Sequence, residues 1–161
     1  MKQIVSCVLT FLVWLALTWS VMPSNLAAGV FFSIVVAVVL SDIYPDGLNA
    51  LFEPKRWFWT FVYIPYFFVY VVKANLDVAY RVLHPDIPIR PGIVRVRTTL
   101  TGDIGRTALA NSITLTPGTL SVDIIDEYLY VHWINVSTRD VEKQTEIIVT
   151  RFERILKRIF E

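Results

Sequence analysis

QIVSCVLTFLVWLALTWSVMPSNLAAGVFFSIVVAVVLS, residues 3–41, contains no Asp, Glu, Lys, Arg or His. The chain has 161 residues, 18% of them charged, so 39 in a row without an ionisable group is a departure from its average. About 20 apolar helical residues cross a hydrocarbon core, and the run is long enough for two short crossings with a turn between them. The expected spans are residues 4–21 and 26–40, broken at Met22-Pro23-Ser24-Asn25, where proline lacks an N–H and Ser-Asn favours a turn. A cleaved signal peptide is disfavoured, because the first apolar stretch exceeds the usual core of about 7–15 residues. The stretch is expected to stay as an anchor. Ion routes through a bilayer are usually marked by buried charge. This run carries none, so it is not expected to move an ion by itself.

Working outward, residues 42–56 form a polar connector with Pro45, Gly47 and Pro54, ending in Lys55-Arg56. Residues 57–72 are again free of charge and hold nine aromatics around Pro65. Trp and Tyr favour headgroup level, so this segment reads either as an interfacial, partner-packed helix or as a short third span. Two crossings would put Lys2, Lys55-Arg56 and the charged C-terminal half on one side, as the positive-inside rule prefers. Residues 73–83 continue with amphipathic spacing, apolar at Leu76, Ala79 and Leu83.

From Pro85 the composition changes. His84-Pro85 and Ile87-Pro88 predict an extended linker. Residues 93–100 alternate as a half-exposed strand, and 103–113 read as a short helix starting at Gly102 or Asp103. Residues 119–125 and 128–136 predict a hairpin turning at Asp126-Glu127. The last helix is expected from Ser137 or Thr138, with Asp140 completing a capping box. Its apolar stripe is Val141, Thr145, Ile148, Phe152, Ile155 and Ile159. The expected fold is therefore a membrane α-helical N-terminal anchor plus a small cytoplasmic α+β domain of order strand-helix-strand-strand-helix. Its parts are a two-helix transmembrane hairpin (1–41), the connector with the aromatic interfacial or third membrane helix (42–84), and the α+β domain (85–161).

Composition excludes several classes of function. Hydrophobic residues make up 55% of the chain and mean hydropathy is +0.54, too apolar for an ordinary soluble domain of this size. Net charge is +1, which gives no field for nucleic acid. Cys7 is the single cysteine, and neither His84 nor His132 stands in a metal-ligand spacing. No serine sits in a nucleophile elbow, and Arg90-Pro91-Gly92 is too poor in glycine for a phosphate loop. The chain is expected to be non-catalytic, with no cofactor and no metal. Arg95 and Arg97 share a strand face that suits lipid phosphate, a partner's carboxylates or water. Asp42, at a span end, and Lys73 and Asp77, just past the aromatic segment, are the candidates for an ion path or an interface.

Four motifs occur in a fixed order: KANLDVA at 73–79, IRPGIV at 89–94, NSITLTPGT at 111–119 and LYVHW at 129–133. Read physically, 111–119 is a helix end running into a strand, with hydroxyls and Asn111 available to cap backbone groups. Together the motifs resemble the E-type subunits of the Mrp-type multisubunit cation/proton antiporters, which recur in membrane-bound hydrogenase and sulfur-reducing complexes of archaea. The resemblance spans nearly the whole chain. Trp133 departs from it, standing where the family pattern more often has a small residue. It implies a multi-pass accessory protein of the cell membrane in a complex exchanging Na⁺ or another cation for H⁺, its α/β tail cytoplasmic. Its implied partners are other membrane subunits and the bilayer, and its role is assembly, with a share in an ion path formed with neighbours. Nickel and iron–sulfur centres of the hydrogenase-type relatives would belong to other subunits. The competing reading is a membrane-anchored binding module that recruits a soluble partner. The cation, the parent complex and the choice between two and three spans stay open at this level.

Overall fold

Pro23 opens a helix instead of ending one. A computed structural model, which describes residues 2–40 and 53–161, places it at the first position of α2 (Pro23–Val39), after α1 (Lys2–Thr18). The missing proline N–H costs nothing there, because the first-turn amides have no intrahelical acceptor. The break therefore lies earlier than expected, at residues 19–22, with Trp19 at φ 47°. Asn25 ties the turn: its Nδ2 donates to Thr18 Oγ1 (2.9 Å) and to the Ser20 carbonyl (2.8 Å). Trp14 Nε1 donates to the Asn25 carbonyl at 3.2 Å.

The two helices pack through small residues. Gly29, Ser33 and Ala37, four apart, are the buried positions of α2, a spacing that lets apolar helices approach closely. Trp14 fills the space at Gly29, where a Cβ would stand 2.6 Å from its Cδ1. It also stacks on Phe32 at 5.6 Å. At 17 residues each, α1 and α2 are about 25 Å long, the short end of what crosses a hydrocarbon core. Residues 1–53 and 54–161 are separate units.

The second unit starts with α3 (Pro54–Leu83), which runs through Pro65 and is long and apolar enough to cross a membrane by length and composition. After it comes a tight turn in place of the expected extended linker. Ile87 N–H donates to the His84 carbonyl (3.0 Å) and Ile87 takes φ 41°. Then follow β1 (Gly92–Arg97), α4 (Asp103–Thr114), β2 (Thr119–Ile125), β3 (Tyr128–Trp133), α5 (Val141–Thr145), a π-helical turn (Glu146–Thr150) and α6 (Arg151–Phe160). The order strand, helix, strand, strand, helix is the expected one.

The sheet is antiparallel in the order β1-β3-β2. Asp126 forms the expected hairpin turn at φ 52°, a region that Asp tolerates. Val94 and Val96 on β1 face Val131 and Leu129 on β3, and all four are buried. Alternation of period two puts Ile93, Arg95 and Arg97 on the open face. The last helix begins at Asp140, not at Ser137: the Asp140 carboxylate accepts from Glu142 N–H at 3.0 Å. The π turn adds a residue to the helical period. Adjacent Ile148 and Val149 are both buried as a result, which a strict stripe would not allow. Val141, the first member of the expected stripe, is exposed.

α3 belongs to this unit. Trp59, Tyr63, Tyr66, Phe67 and Tyr70 pack on the core, with Phe152 of α6 5.9 Å from the Phe67 ring and 5.7 Å from the Tyr70 ring. Tyr63 donates to Ser112 Oγ on α4, and Tyr66 donates to the Arg151 carbonyl (2.9 Å). The opposite stripe, Phe61, Ile64, Phe68, Val72 and Leu76, is exposed. Leu76, Ala79 and Leu83 thus lie on the open side of the helix.

Gly29→Val should spread the hairpin, since even a Cβ at position 29 would stand 2.6 Å from Trp14 Cδ1 and 3.1 Å from Phe11 Cε2. Overpacking of this kind costs about 1–3 kcal/mol. Hydrogen exchange should accelerate across residues 3–39 and stay unchanged across 54–161, and unchanged exchange in both would remove Trp14–Gly29 as the hairpin's seat.

Candidate functional site

The motifs that are far apart in sequence meet around one cleft of about 360 Å³ in the second unit. α3 contributes Tyr70, Lys73, Asp77 and Arg81, the face that continues the aromatic stripe. The junction of α4 and β2 contributes residues 116–119, and the end of β3 contributes Trp133 and Ile134. Asn135, Ser137, Ile147 and Arg151 complete the lining. The segment before β1 joins the same neighbourhood through Arg90, whose N–H donates to the Ile134 carbonyl (3.1 Å).

The α4–β2 junction is built by its hydroxyls. Thr116 Oγ1 donates to the Ser112 carbonyl (2.8 Å), and Thr119 Oγ1 donates to the Ile113 carbonyl (2.7 Å). These bonds satisfy carbonyls left open at the end of α4. Among the described residues, the Asn111 side chain makes none of these bonds. Gly118 has φ 89°, where a Cβ is strained. A Cβ there would also approach Ile134 Cγ2 to 2.9 Å.

Three cations and one carboxylate line the cleft, and they are not equivalent. Asp77 holds Arg81 in a bidentate pair (2.8 and 3.0 Å) while Arg81 Nη1 donates to the Pro88 carbonyl at 2.6 Å. That fork is fully occupied, and Asp77 raises the Arg81 pKa above its ordinary value. Lys73 and Arg151 have no carboxylate partner among the described residues. Both lie over the Tyr70 ring, Lys73 Nζ at 5.7 Å and Arg151 Cζ at 5.5 Å from its centroid. The Arg151 guanidinium also lies 5.1 Å from the Phe152 ring, and its Nε is buried without an acceptor. Burial holds the Arg151 pKa below its usual value, partly opposed by Tyr70 and Tyr66. An aromatic face attracts a cation by its quadrupole but accepts no conventional hydrogen bond from it.

Of the sequence candidates, Lys73 and Asp77 both reach the cleft, in different roles: Asp77 is a clamp for Arg81, and Lys73 is an open cation. Asp42 lies outside the described residues. Arg95 and Arg97 are elsewhere, Arg95 against Tyr128 (4.8 Å) and Arg97 paired with Glu127 (3.2 Å). Sequence reasoning misses Arg81 and Arg151. Arg81 carries a signal, being four residues after Asp77 on one helix face. Arg151 carries no signal of its own, being one of several charges in residues 151–158.

Fold and cleft together define a class: a small α+β unit roofed by an aromatic helix and preceded by an apolar hairpin that carries no Asp, Glu, Lys, Arg or His after Lys2. The chain belongs to the Na⁺/H⁺ ion antiporter subunit family, whose model matches residues 7–159. It is 31% identical over 162 residues to the E1 subunit of the Na⁺/H⁺ antiporter of Staphylococcus aureus (strain bovine RF122 / ET3-1), with 98% of each chain covered. The corresponding chain of S. aureus strain JH9 is 30% identical over the same span, again with 98% of each covered. Among solved structures, a chain of the membrane-bound sulfane sulfur reductase, an archaeal respiratory membrane complex, is 45% identical with TM-score 0.82, and the match covers 99% of both chains. A chain of the Mrp complex from Dietzia sp. DQ12-45-1b is 26% identical with TM-score 0.44, covering 65% of this chain and 96% of that one.

Gly118→Ala should destabilise the unit by about 1–2 kcal/mol through its left-handed φ and the Ile134 contact. A lowered thermal midpoint for the full chain in detergent checks this, and an unchanged midpoint would show that the loop re-forms without strain.

Proposed function

We propose that this chain is an accessory, non-catalytic membrane component of a multisubunit Na⁺ (monovalent cation)/proton antiporter module, contributing to assembly. The observation that carries the reading is exposed apolar surface on α2 and α3. Apart from the Gly29, Ser33 and Ala37 groove, α2 exposes Phe31, Ile34 and Val38, and the outer stripe of α3 is open along its length. Patches of this extent mark membrane or subunit contacts. Between apolar helices such association rests on packing and close approach. The partners would be other membrane subunits and the bilayer. Any ion path would be shared with neighbours, since residues 3–41 supply no Asp, Glu, Lys, Arg or His.

Two crossings by α1 and α2, with α3 lying at the interface, fit the chemistry of α6. Arg158 stacks 4.3 Å over Trp59, and Arg56 Nη1 donates to the Phe160 carbonyl (3.4 Å). α3 therefore carries a charged helix along its inner side. A span in hydrocarbon would have to desolvate Glu153, Arg154, Lys157 and Arg158. At the interface those charges stay in water while the outer stripe meets lipid or a partner. With two crossings the C-terminal unit would share the cytoplasmic side with Lys2.

Greater identity to the sulfane sulfur reductase chain than to the S. aureus chains (45% against 31%) favours a respiratory parent complex that includes an antiporter-like module.

Affinity purification of the tagged chain from native membranes in mild detergent should bring down several larger membrane subunits. Recovery of the chain alone would favour the binding-module alternative. With Cys7 replaced by Ser, single cysteines at residues 2 and 161 should label from the same side. Labelling from opposite sides would make the crossing number odd.

A further inference from the structure

Lys73 and Arg151 are the two charges of the cleft that no carboxylate among the described residues answers. They converge on one aromatic ring, and the buried Nε of Arg151 lacks an acceptor. A buried donor left unpaired costs free energy, and more so on a charged group. Neighbouring Arg81 shows how the unit neutralises a cation, with Asp77 and the Pro88 carbonyl on all three guanidinium nitrogens. From these contacts we infer that the cleft is an anion site, and that its ligand is a phosphate group.

A guanidinium fork and an ammonium point charge approach from two elements, α6 and α3. Asn135 and Ser137 add neutral polar groups from the segment after β3. This is the donor set for a tetrahedral anion with several acceptor oxygens. A planar carboxylate would use the fork alone. Two sources supply such a group, an anionic phospholipid headgroup or free phosphate. The surroundings favour the lipid. At about 360 Å³ the cleft is larger than a bare phosphate needs. One wall of it is exposed Ile147, and exposed Val72 and Leu76 flank Lys73 on α3. A headgroup on Lys73 and Arg151 could lay its acyl chains along that apolar stripe. Only the preference for lipid rests on the membrane reading above; the anion site does not.

The test is isothermal titration of the purified full chain, in a neutral detergent, with short-chain phosphatidylglycerol, short-chain phosphatidylcholine, inorganic phosphate and acetate. One phosphatidylglycerol per chain should bind, and more tightly than phosphatidylcholine or acetate. Lys73→Gln should weaken binding about tenfold, the loss expected for one charge-assisted contact. Lys73 is solvent-exposed, so this variant should keep the wild-type thermal midpoint. Arg151→Lys should retain part of the affinity that Arg151→Gln loses. Asp77→Asn, which releases Arg81, should tighten binding several-fold, an effect that a merely structural role would not produce. Inorganic phosphate binding as tightly as the lipid would keep the site and assign it to soluble phosphate. No saturable binding, acetate binding equally well, or binding unmoved by Lys73→Gln would each overturn the proposal. The measurement uses the isolated chain, so failure to assemble with other subunits would leave its outcome intact.

Discussion

The contact on which the second unit depends is the seating of one aromatic stripe on Phe152. Trp59, Tyr63, Tyr66, Phe67 and Tyr70 recur mostly at intervals of three and four, so a single helix presents them on one side. Burying Phe152 against Phe67 and Tyr70 contributes about 1.5–3 kcal/mol, and each well-placed aromatic pair adds roughly 0.5–1.5 kcal/mol. Tyr63 and Tyr66 also donate to Ser112 and to the Arg151 carbonyl, so their polar ends are satisfied where their rings are covered. This makes α3 a part of the α+β unit. It also leaves the other side of α3 with Phe61, Ile64, Phe68 and Val72 facing outward. A helix apolar on both sides needs two different neighbours, and the unit supplies one of them.

The same packing creates the cleft. Where the inner stripe of α3 passes beyond Tyr70, its residues change from aromatic to Lys73, Asp77 and Arg81. The helix there overhangs the α4–β2 junction and the end of β3, and the gap is lined by side chains that need water or a ligand. The junction is held open by residues of fixed geometry: Gly118 at φ 89° against Ile134, and Thr116 and Thr119 closing carbonyls at the end of α4. The family motifs at 73–79, 111–119 and 129–133 are thus one place in space.

Much of this is legible in the residues. The charge-free run, the alternation at 93–97, the hairpin at Asp126-Glu127 and the order of elements all come from local rules of period and turn chemistry. The departures are local conflicts that packing or geometry resolves. Pro23 follows an apolar run and so reads as a breaker, but it suits a helix start equally well. Ser137 and Asp140 have the spacing of a capping box, yet the Asp140 side chain caps the helix by itself. The stripe in the last helix slips at the π turn, a one-residue change of period that no spacing rule anticipates. In the candidate site, Lys73 and Asp77 stand out as charges beside an apolar segment, but their different roles depend on Arg81 and Arg151.

By itself the sequence determined that an apolar helical pair lies within residues 3–39, that an aromatic helix follows, and that the elements after it run strand, helix, strand, strand, helix. Those outcomes rest on hydrophobic periodicity and on the absence of charge, which act over one or two turns of chain. Tertiary structure alone decided which side of α3 is covered, and that Lys73 and Arg151 share the Tyr70 ring. Residues 70, 73 and 151 meet only after α6 docks on α3. A contact between positions about 80 residues apart has no local periodicity to announce it.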